Sequence, residues 1–195
     1  MDHRADTDAP DDALLIAFAN GDGAAGQLLV NRLAPRLFGY AARVLGDHAE
    51  AEDVVQDTMM KLWKMAPDWR QGEAQVSTWV YRVAVNLCTD RLRRRTSRRQ
   101  VDIDSIAEPE ANLKSAVEQM TEKDRADALQ NALDALPERQ RQAVVLRHLE
   151  GLSNPEIARI MDIGVEAVES LTARGKRALT AALSGRKEDL GYDQG

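Results

Sequence analysis

A run of arginines between residues 91 and 99 could bind nucleic acid, since six of these nine residues are Arg and none is acidic. Arg82, Asn86, Thr89 and Arg93 lead into it at spacings of four, three and four. On a helix these spacings place the four side chains on one face. Guanidinium groups bind phosphates, and amide and hydroxyl groups can hydrogen-bond to bases. The pattern favours a nucleic-acid-binding face, and a solubilising helix end is the alternative.

Two aromatic residues, Trp79 and Tyr81, lie on the same predicted helix. Aromatic rings can hold unstacked bases. The predicted buried side of this helix consists of Trp79, Val80, Val83, Ala84 and Leu87. Burial in the core is therefore the favoured prediction for Trp79.

A second polar face is predicted on a helix near residues 48–65. Its members recur at spacings of three and four, and they are Glu50, Asp53, Asp57, Lys61 and Lys64, with Gln56 beside them. The opposite, inner stripe comprises Val55, Met59, Leu62, Trp63 and Ala66. By pattern alone the polar face is a solvated helix side, where a pair such as Asp57 and Lys61 contributes only about 0.2–0.5 kcal/mol.

The C-terminal part of the chain predicts a helix-turn-helix. A first helix opens at Leu136-Pro137-Glu138 and is expected to stop at Gly151 in a left-handed conformation. Ser153 and Glu156 have the spacing of a capping box that begins a second helix. A short turn at 162–164 then leads to a third helix. Because so tight a turn forces the helices to cross steeply, the last helix could enter a DNA major groove; an ordinary helical corner is the alternative.

Charge along the chain is segregated rather than uniform. The formal net charge is −6, yet the basic run at 91–99 is followed by seven acidic residues between Asp102 and Asp124, against only Lys114 and Lys123. Because the fields of exposed charges are screened over roughly 10 Å at moderate salt, local clusters of charge matter more than the net charge. The net negative charge therefore does not exclude a nucleic-acid partner.

Composition excludes several other classes of protein. No apolar stretch reaches the 18 or more residues of a membrane span, and the N-terminus lacks the pattern of a secretion signal. The single cysteine, Cys88, is expected to be a buried structural residue in a reducing cytoplasm. A carboxylate-bridged metal enzyme needs Glu-x-x-His pairs, and none of the three histidines has a Glu three residues before it. We predict no catalytic residue, metal or cofactor.

These features indicate an all-α chain with two small helical domains joined by a flexible acidic linker. We expect a disordered leader at 1–11, a first domain at 12–95, the linker at 96–128, a second domain at 129–184 and a tail at 185–195. Helices of the first domain are predicted near 12–20, 24–45, 48–65 and 77–95 from apolar periodicity and from Gly and Pro breaks.

Three motifs in this order resemble the extracytoplasmic-function (ECF) sigma factors of bacterial RNA polymerase, within the sigma-70 superfamily. Residues 51–64 (AEDVVQDTMMKLWK) are similar to part of their second region, and 77–87 (STWVYRVAVNL) with the arginine run are similar to its promoter-melting part. Residues 136–139, 157–158 and 176–179 resemble their fourth region. The resemblance implies a transcription initiation factor that binds core polymerase and promoter DNA.

The resemblance also implies roles at matching positions. The residues expected to bind the clamp coiled coil of the largest subunit of core polymerase are Asp53, Gln56, Asp57 and Lys61. The turn from 69 to 76 is expected to capture a flipped base. The residues expected to contact a melted −10 element are Trp69, Arg82, Asn86, Thr89, Arg91, Arg93, Arg94 and Arg95. The residues expected to contact the −35 element are Ser153, Val165, Glu166, Glu169, Ser170, Arg174, Lys176 and Arg177.

The family further implies contact with the polymerase flap, control by an anti-sigma factor, often in a stress response, and no membrane partner. This chain departs from the family at Glu169, where many relatives carry Lys, and at Leu171, where Arg is frequent. Glu166 lies in the same turns. Because a carboxylate can accept from a cytosine amino group but repels phosphate, the grip on the DNA backbone is expected at Arg174, Lys176 and Arg177. A free-standing helix-turn-helix regulator is the alternative function; it would bind duplex DNA as a dimer without polymerase.

Overall fold

The computed structural model describes residues 8–72, 75–101 and 122–184. These residues form helices and connecting turns, with no β-strand among them. The N-terminal domain contains α1 (Asp11–Ala19), α2 (Gly23–Leu45), α3 (His48–Met65), a 3-10 turn (Ala66–Asp68) and α4 (Val76–Val101). The C-terminal domain contains α5 (Glu122–Asp134), α6 (Glu138–Val144) with a π-helical last turn (Val145–Leu149), α7 (Asn154–Met161) and α8 (Val165–Ser184).

Local capping sets the ends of the N-terminal helices. The Asp22 carboxylate accepts hydrogen bonds from the Ala24 and Ala25 amides at 2.9 and 3.2 Å, which begins α2. Gly46 ends α2 with a φ of +64°, a conformation that glycine adopts without strain. Asp47 then begins α3 by accepting from the Glu50 amide at 3.0 Å.

Apolar stripes of α2, α3 and α4 meet in the core of the N-terminal domain. The fully buried residues include Leu29, Leu37, Tyr40, Val44, Val54, Leu62, Val80, Ala84 and Cys88. Half of the predicted inner residues of α3 and α4 are buried, namely Met59, Leu62, Ala66, Val80 and Ala84. The other half are only half-buried, namely Val55, Trp63, Trp79, Val83 and Leu87, and Val54 is the core residue beside Val55.

The C-terminal domain is the predicted helix-turn-helix with one helix before it. Gly151 has a φ of +72°, and Ser153 with Glu156 forms the predicted capping box. The α7–α8 turn contains Asp162 in the left-handed conformation, with a φ of +54°. Helices α6 and α8 pack so closely that a Cβ on Gly175 would clash with Val144 Cγ2.

The two domains are packed against each other, and their buried residues form one continuous apolar cluster. Helix α4 lies between them, with α2 and α3 on one side and α7 on the other, while α2 also contacts α5, α6 and the π-helical turn. The expected end of α4 near residue 95 is wrong, because the helix continues to Val101. Tyr81 and Val85, which were not among the predicted buried residues of this helix, are buried on the side that meets the C-terminal domain.

The predicted leader at 1–11, linker at 96–128 and tail at 185–195 fall partly or wholly outside the described residues. Residues 96–101 continue α4, and residues 122–128 belong to α5. Segments 1–7, 102–121 and 185–195 lie outside the described part of the chain.

Candidate nucleic-acid interface

Helix α4 presents the predicted polar face towards the C-terminal domain. Asn86, Thr89 and Arg93, together with Val85, line one side of a cleft of about 410 Å³. The other side is formed by Glu138, Arg139, Gln142 and Met161. Asn86 and Arg93 remain exposed, whereas Thr89 is half-buried. The predicted face is therefore assembled on one helix, and it faces a second wall that sequence reasoning did not expect.

A hydrogen bond crosses this cleft, from Gln142 Nε2 to Thr89 Oγ1 at 2.9 Å. Within α6, Gln142 Nε2 also donates to Glu138 Oε1 at 3.2 Å. At the rim, Arg82 Nη2 lies 3.9 Å from the Asp162 carboxylate, and both side chains are largely exposed. Gln142 is the buried member of this set, with 2% of its surface exposed.

The arginine run divides into two kinds of side chain. Arg91 Nη2 lies 3.2 Å from Asp57 Oδ2. Arg95 binds Glu50 Oε1 at 3.0 Å and Asp47 Oδ2 at 3.5 Å, and it donates to the Leu45 carbonyl at 2.8 Å. These contacts fold Arg91 and Arg95 back onto α2 and α3.

Arg93 and Arg94, by contrast, are exposed. A guanidinium that already binds carboxylates of its own domain is less available to phosphate than an exposed one. The structure thus favours Arg93 and Arg94 over Arg91 and Arg95 as cations for a DNA backbone.

Trp69 follows the 3-10 turn and packs half-buried against the core. Its indole Nε1 is buried and has no hydrogen-bond partner in the described structure. The predicted base-capturing turn from 69 to 76 is described only in part, because residues 73 and 74 lie outside the described residues.

The outer face of α3 carries the predicted polar set. Asp53, Gln56 and Lys61 are exposed, whereas Asp57 is half-exposed and paired with Arg91. Sequence reasoning missed Met60, which lies three residues after Asp57 and is 49% exposed. Its spacing from Gln56 and Asp57 was the signal that could have placed it on this face. Met60 thus adds an exposed apolar side chain to this polar face, and protein–protein contacts combine side chains of both kinds.

The exposed face of α8 carries the predicted groove-reading residues. Val165, Glu166, Glu169 and Ser170 are exposed in its first two turns. Arg174 Nη2 donates to Ser170 Oγ at 2.7 Å, which holds this guanidinium along the helix. Lys176 and Arg177 are exposed further along.

A smaller cleft of about 270 Å³ lies between α8 and the π-helical turn that follows α6. Arg147 and His148 line it together with Glu169 and Lys176. Burial, followed by the charges of Lys176 and Arg147, lowers the pKa of His148. Arg147 is therefore a cationic neighbour of the groove-reading face that the sequence did not identify, and His148 is a polar one.

Ser153, the first residue of the predicted set, is committed to the capping box. Its amide and its hydroxyl donate to Glu156 Oε2 at 2.8 and 2.6 Å. These hydrogen bonds, that from the Ser153 side chain first, lower the pKa of the Glu156 carboxyl. Ser153 thus sets the start of α7.

Among the described residues there is no cluster of His, Cys, Asp and Glu that could hold a metal ion. Within the same part of the chain, no helix has the length and apolar character that a bilayer crossing requires. Cys88 is buried, and burial raises the pKa of its thiol to about 12.

Comparisons with known proteins match both domains. A model of sigma-70 region 2 matches residues 29–98, and a model of sigma-70 region 4 matches residues 126–179. The chain is 33% identical over 173 residues to the ECF RNA polymerase sigma factor SigM of Mycobacterium tuberculosis, covering 89% of this chain and 84% of that protein. It is 31% identical over 186 residues to the RNA polymerase sigma-H factor of Pseudomonas aeruginosa, covering 91% and 95%.

Two solved structures share the fold. CnrH in complex with the cytosolic domain of CnrY is 25% identical with a TM-score of 0.64, covering 90% of this chain and 97% of that one. The sigma factor RpoE in complex with the anti-sigma factor NepR from Bartonella quintana is 24% identical with a TM-score of 0.64, covering 80% and 94%.

A helical domain with an arginine-rich face, followed by a helix-turn-helix domain, is the architecture of a sigma-70-type initiation factor. The chain belongs to the ECF sigma factors of this family. Members are transcription initiation factors rather than enzymes, and they act with core RNA polymerase on promoter DNA. The predicted family, helical fold and function are confirmed. The roles of individual residues stay predictions.

Proposed function

We propose that this factor uses three surfaces in promoter recognition: the outer face of α3 for polymerase, the polar face of α4 for the −10 strand and the exposed face of α8 for the −35 duplex. The observation that carries the proposal is the alignment of Arg82, Asn86 and Arg93 on one helix, directly beside the polymerase-docking helix α3. Such an arrangement would hold one melted DNA strand next to the polymerase, which copies the complementary strand.

The docking surface of α3 consists of Asp53, Gln56, Met60 and Lys61, with Asp57 at its edge. Met60 supplies apolar contact area, and the polar residues around it supply orientation. The proposed partner is the clamp coiled coil of the largest polymerase subunit, and the flap is the proposed contact of the C-terminal domain.

The −10 surface combines a base reader with cations. Asn86 has an amide for hydrogen bonds to an unpaired base, while Arg82, Arg93 and Arg94 lie exposed where they can bind phosphates. Thr89 borders this surface, and Arg91 and Arg95 hold the helix in place. Trp69 begins the turn proposed to take up a base turned out of the stack, a step that costs a few kcal/mol of stacking.

The −35 surface is proposed to be acidic in the first turns of α8 and basic further along the helix. Glu166 and Glu169 occupy the turns that a recognition helix inserts into the groove, with Val165 and Ser170 beside them. Cytosine presents only a donor, its N4 amino group, in the major groove. We therefore expect cytosine on the contacted strand. Arg174, Lys176 and Arg177 are proposed to hold the phosphates.

An anti-sigma factor is the proposed regulator. RpoE of Bartonella quintana, a structural relative, is in complex with an anti-sigma factor. CnrH is in complex with the cytosolic domain of CnrY. Both share this chain's fold, which supports a regulator of the same kind for this protein.

Run-off transcription tests the proposal. Purified factor is added to core RNA polymerase on a pool of genomic promoter fragments, and start sites are mapped with and without it. New start sites that share upstream motifs are expected. Tight duplex binding as a dimer without polymerase, and no new start sites with it, would instead support a free-standing regulator.

A further inference from the structure

The cleft between α8 and the π-helical turn has the composition of an anion site. Arg147 and His148 line it from the turn, Glu169 and Lys176 line it from α8, and Asn154 lines it from the start of α7. While the imidazole is neutral, the ionised side chains of the cleft are two cations and one carboxylate. The cleft is therefore positively charged before His148 binds a proton.

Glu169 and Lys176 place this cleft on the side of the domain proposed to face DNA. The two residues lie seven positions apart on α8, which is about two helical turns, so their side chains share one face. Both are exposed. In helix-turn-helix proteins the helix before the recognition helix crosses the DNA backbone, and Asn154 begins that helix here. A backbone phosphate of a duplex on α8 is therefore the anion expected at this cleft.

Arg147 is held at the edge of the cleft. Its Nη1 donates to the Leu152 carbonyl at 2.8 Å. Because a guanidinium has five N–H donors in one plane, this hydrogen bond leaves others for an anion. Lys176, exposed on the opposite wall, supplies the second cation.

His148 is the residue of this cleft whose charge changes near neutral pH. Burial, followed by the charges of Lys176 and Arg147, lowers its pKa. The imidazole is therefore mostly neutral in the free protein at pH 7. A phosphate near the same two cations adds negative charge, which favours the protonated imidazole and raises its pKa again.

The π-helical turn also packs against α2, α6 and α7, but no charged residue of these helices lines the cleft in the described part of the chain. Arg36 of α2 lies beside the Glu150 carboxylate, and Glu156 of α7 accepts from Ser153. The charged residues that face His148 are therefore Arg147 of its own turn and Glu169 and Lys176 of α8.

Asn154 offers a second partner to the protonated ring. Its Oδ1 is buried and has no hydrogen-bond partner among the described residues. A protonated imidazole has two N–H donors, so one can bind a phosphate oxygen while the other donates to an acceptor of the cleft wall.

We infer that His148 makes duplex binding by the C-terminal domain proton-linked: the imidazole takes up a proton when a backbone phosphate enters the cleft beside Arg147 and Lys176. This inference rests on the proposed role of α8. A group whose pKa is higher in the complex than in the free protein adds affinity that is fully present below the free pKa and is lost as the pH rises through the pKa of the complex. A pKa raised by about 1 in the complex corresponds to about tenfold tighter binding.

The test measures affinity of the full-length protein for a short, labelled random-sequence duplex at low salt, by fluorescence anisotropy. It compares wild type with His148→Gln, which keeps a polar side chain but cannot be protonated. Measurements at about pH 5.5 and about pH 7.5 lie on either side of the ordinary pKa of histidine. We expect wild type to gain about tenfold in affinity at the lower pH relative to His148→Gln.

His48→Gln is the matched control, because His48 is an exposed histidine of α3 in the other domain. This variant should keep the pH dependence of wild type. Thermal melting at both pH values establishes that each protein is folded.

A titration of the histidine ring protons by NMR measures the proton uptake directly. The duplex should raise the pKa of His148 and leave that of His48 unchanged. Inorganic phosphate serves as a second probe. If inorganic phosphate raised the pKa of His148 and the duplex did not, the cleft would be a site for free anions and the inference would be wrong.

The same measurements separate this inference from the proposed function. Duplex binding with the same pH dependence in wild type and His148→Gln would reject proton linkage and leave the role of α8 intact. Absence of duplex binding by wild type at either pH would reject the role of α8 and the inference with it.

Discussion

Arg91 of α4 and Asp57 of α3 form an ion pair, with Nη2 and Oδ2 3.2 Å apart. Arg91 was expected on the DNA surface and Asp57 on the polymerase surface. The pair instead joins the two surfaces, so that the position of one helix constrains the other. Because the Asp57 side chain is about half exposed, the pair is expected to contribute no more than about 1 kcal/mol. Its main effect is on orientation.

Charge reversal on α3 should disrupt polymerase binding without unfolding the protein. Asp53→Lys is the preferred variant, since reversal of Asp57 would also break its pair with Arg91. Asp53 is exposed, so we expect an unchanged melting temperature and loss of co-purification with core polymerase.

Asp127→Lys is the matched control for this variant, with the same charge change on an exposed site of the C-terminal domain. Met60→Ala should weaken co-purification as well, by about tenfold if Met60 is central to the contact. Normal co-purification of Asp53→Lys would reject the docking surface on α3.

Asn86→Ala should impair promoter opening more than polymerase binding. Asn86 is exposed, so its removal should leave the fold intact, but it deprives an unpaired base of its hydrogen bonds. Permanganate reactivity of thymines in the melted region measures opening, and co-purification measures binding. Asn31→Ala, an exposed asparagine on α2, is the control. An equal loss of opening and binding would count against base reading by Asn86.

Glu169→Gln should change which −35 sequences are used. A lost carboxylate acceptor should relax a cytosine preference, with an effect of about 1–3 kcal/mol at one position. Selection of active promoters from a library randomised at −35 measures this preference. Arg174→Ala should instead weaken binding to all −35 sequences equally and reduce the salt dependence of binding. An unaltered sequence preference for Glu169→Gln would remove Glu169 from the reading set.

Cys88 should be unreactive in the folded protein and reactive in the unfolded one. Burial raises its pKa from 9.0 to about 12, so the thiol keeps its proton in the native state while the unfolded chain loses it. This difference lowers the free energy of unfolding as the pH rises from about 9 towards 12. Native protein should resist a thiol-specific reagent at pH 8 and react fully in denaturant; rapid native labelling would contradict burial.

The contribution of Cys88 to alkaline unfolding can be isolated with Cys88→Ala. This variant should lose stability less steeply over the same pH range, although its smaller side chain lowers the melting temperature overall. Tyr40 also has a raised pKa from burial, so part of the pH dependence should remain. An identical pH dependence in the variant would show that the thiol does not contribute.

Local chemistry determined the helices and the helix-turn-helix. Asp22, Asp47 and the Ser153–Glu156 pair begin helices, and Gly46 and Gly151 end them, because caps and left-handed glycines act within a few residues of the chain. Helical spacing likewise placed Asn86 and Arg93 on one face. These features could be predicted from the sequence alone.

Contacts between distant residues were decided by the tertiary structure. Periodicity reports which face of a helix is apolar, but it does not report a second neighbour that covers another face. Tyr81 is buried because Glu150, 69 residues later, packs against it. Arg91 and Arg95 bind α3 because α4 packs along it, which brings Arg91 to Asp57 in the middle of α3 and Arg95 to Glu50 in its first turn. The sequence therefore determined the surfaces of this sigma factor, and only the packing of its domains determined which of them are accessible.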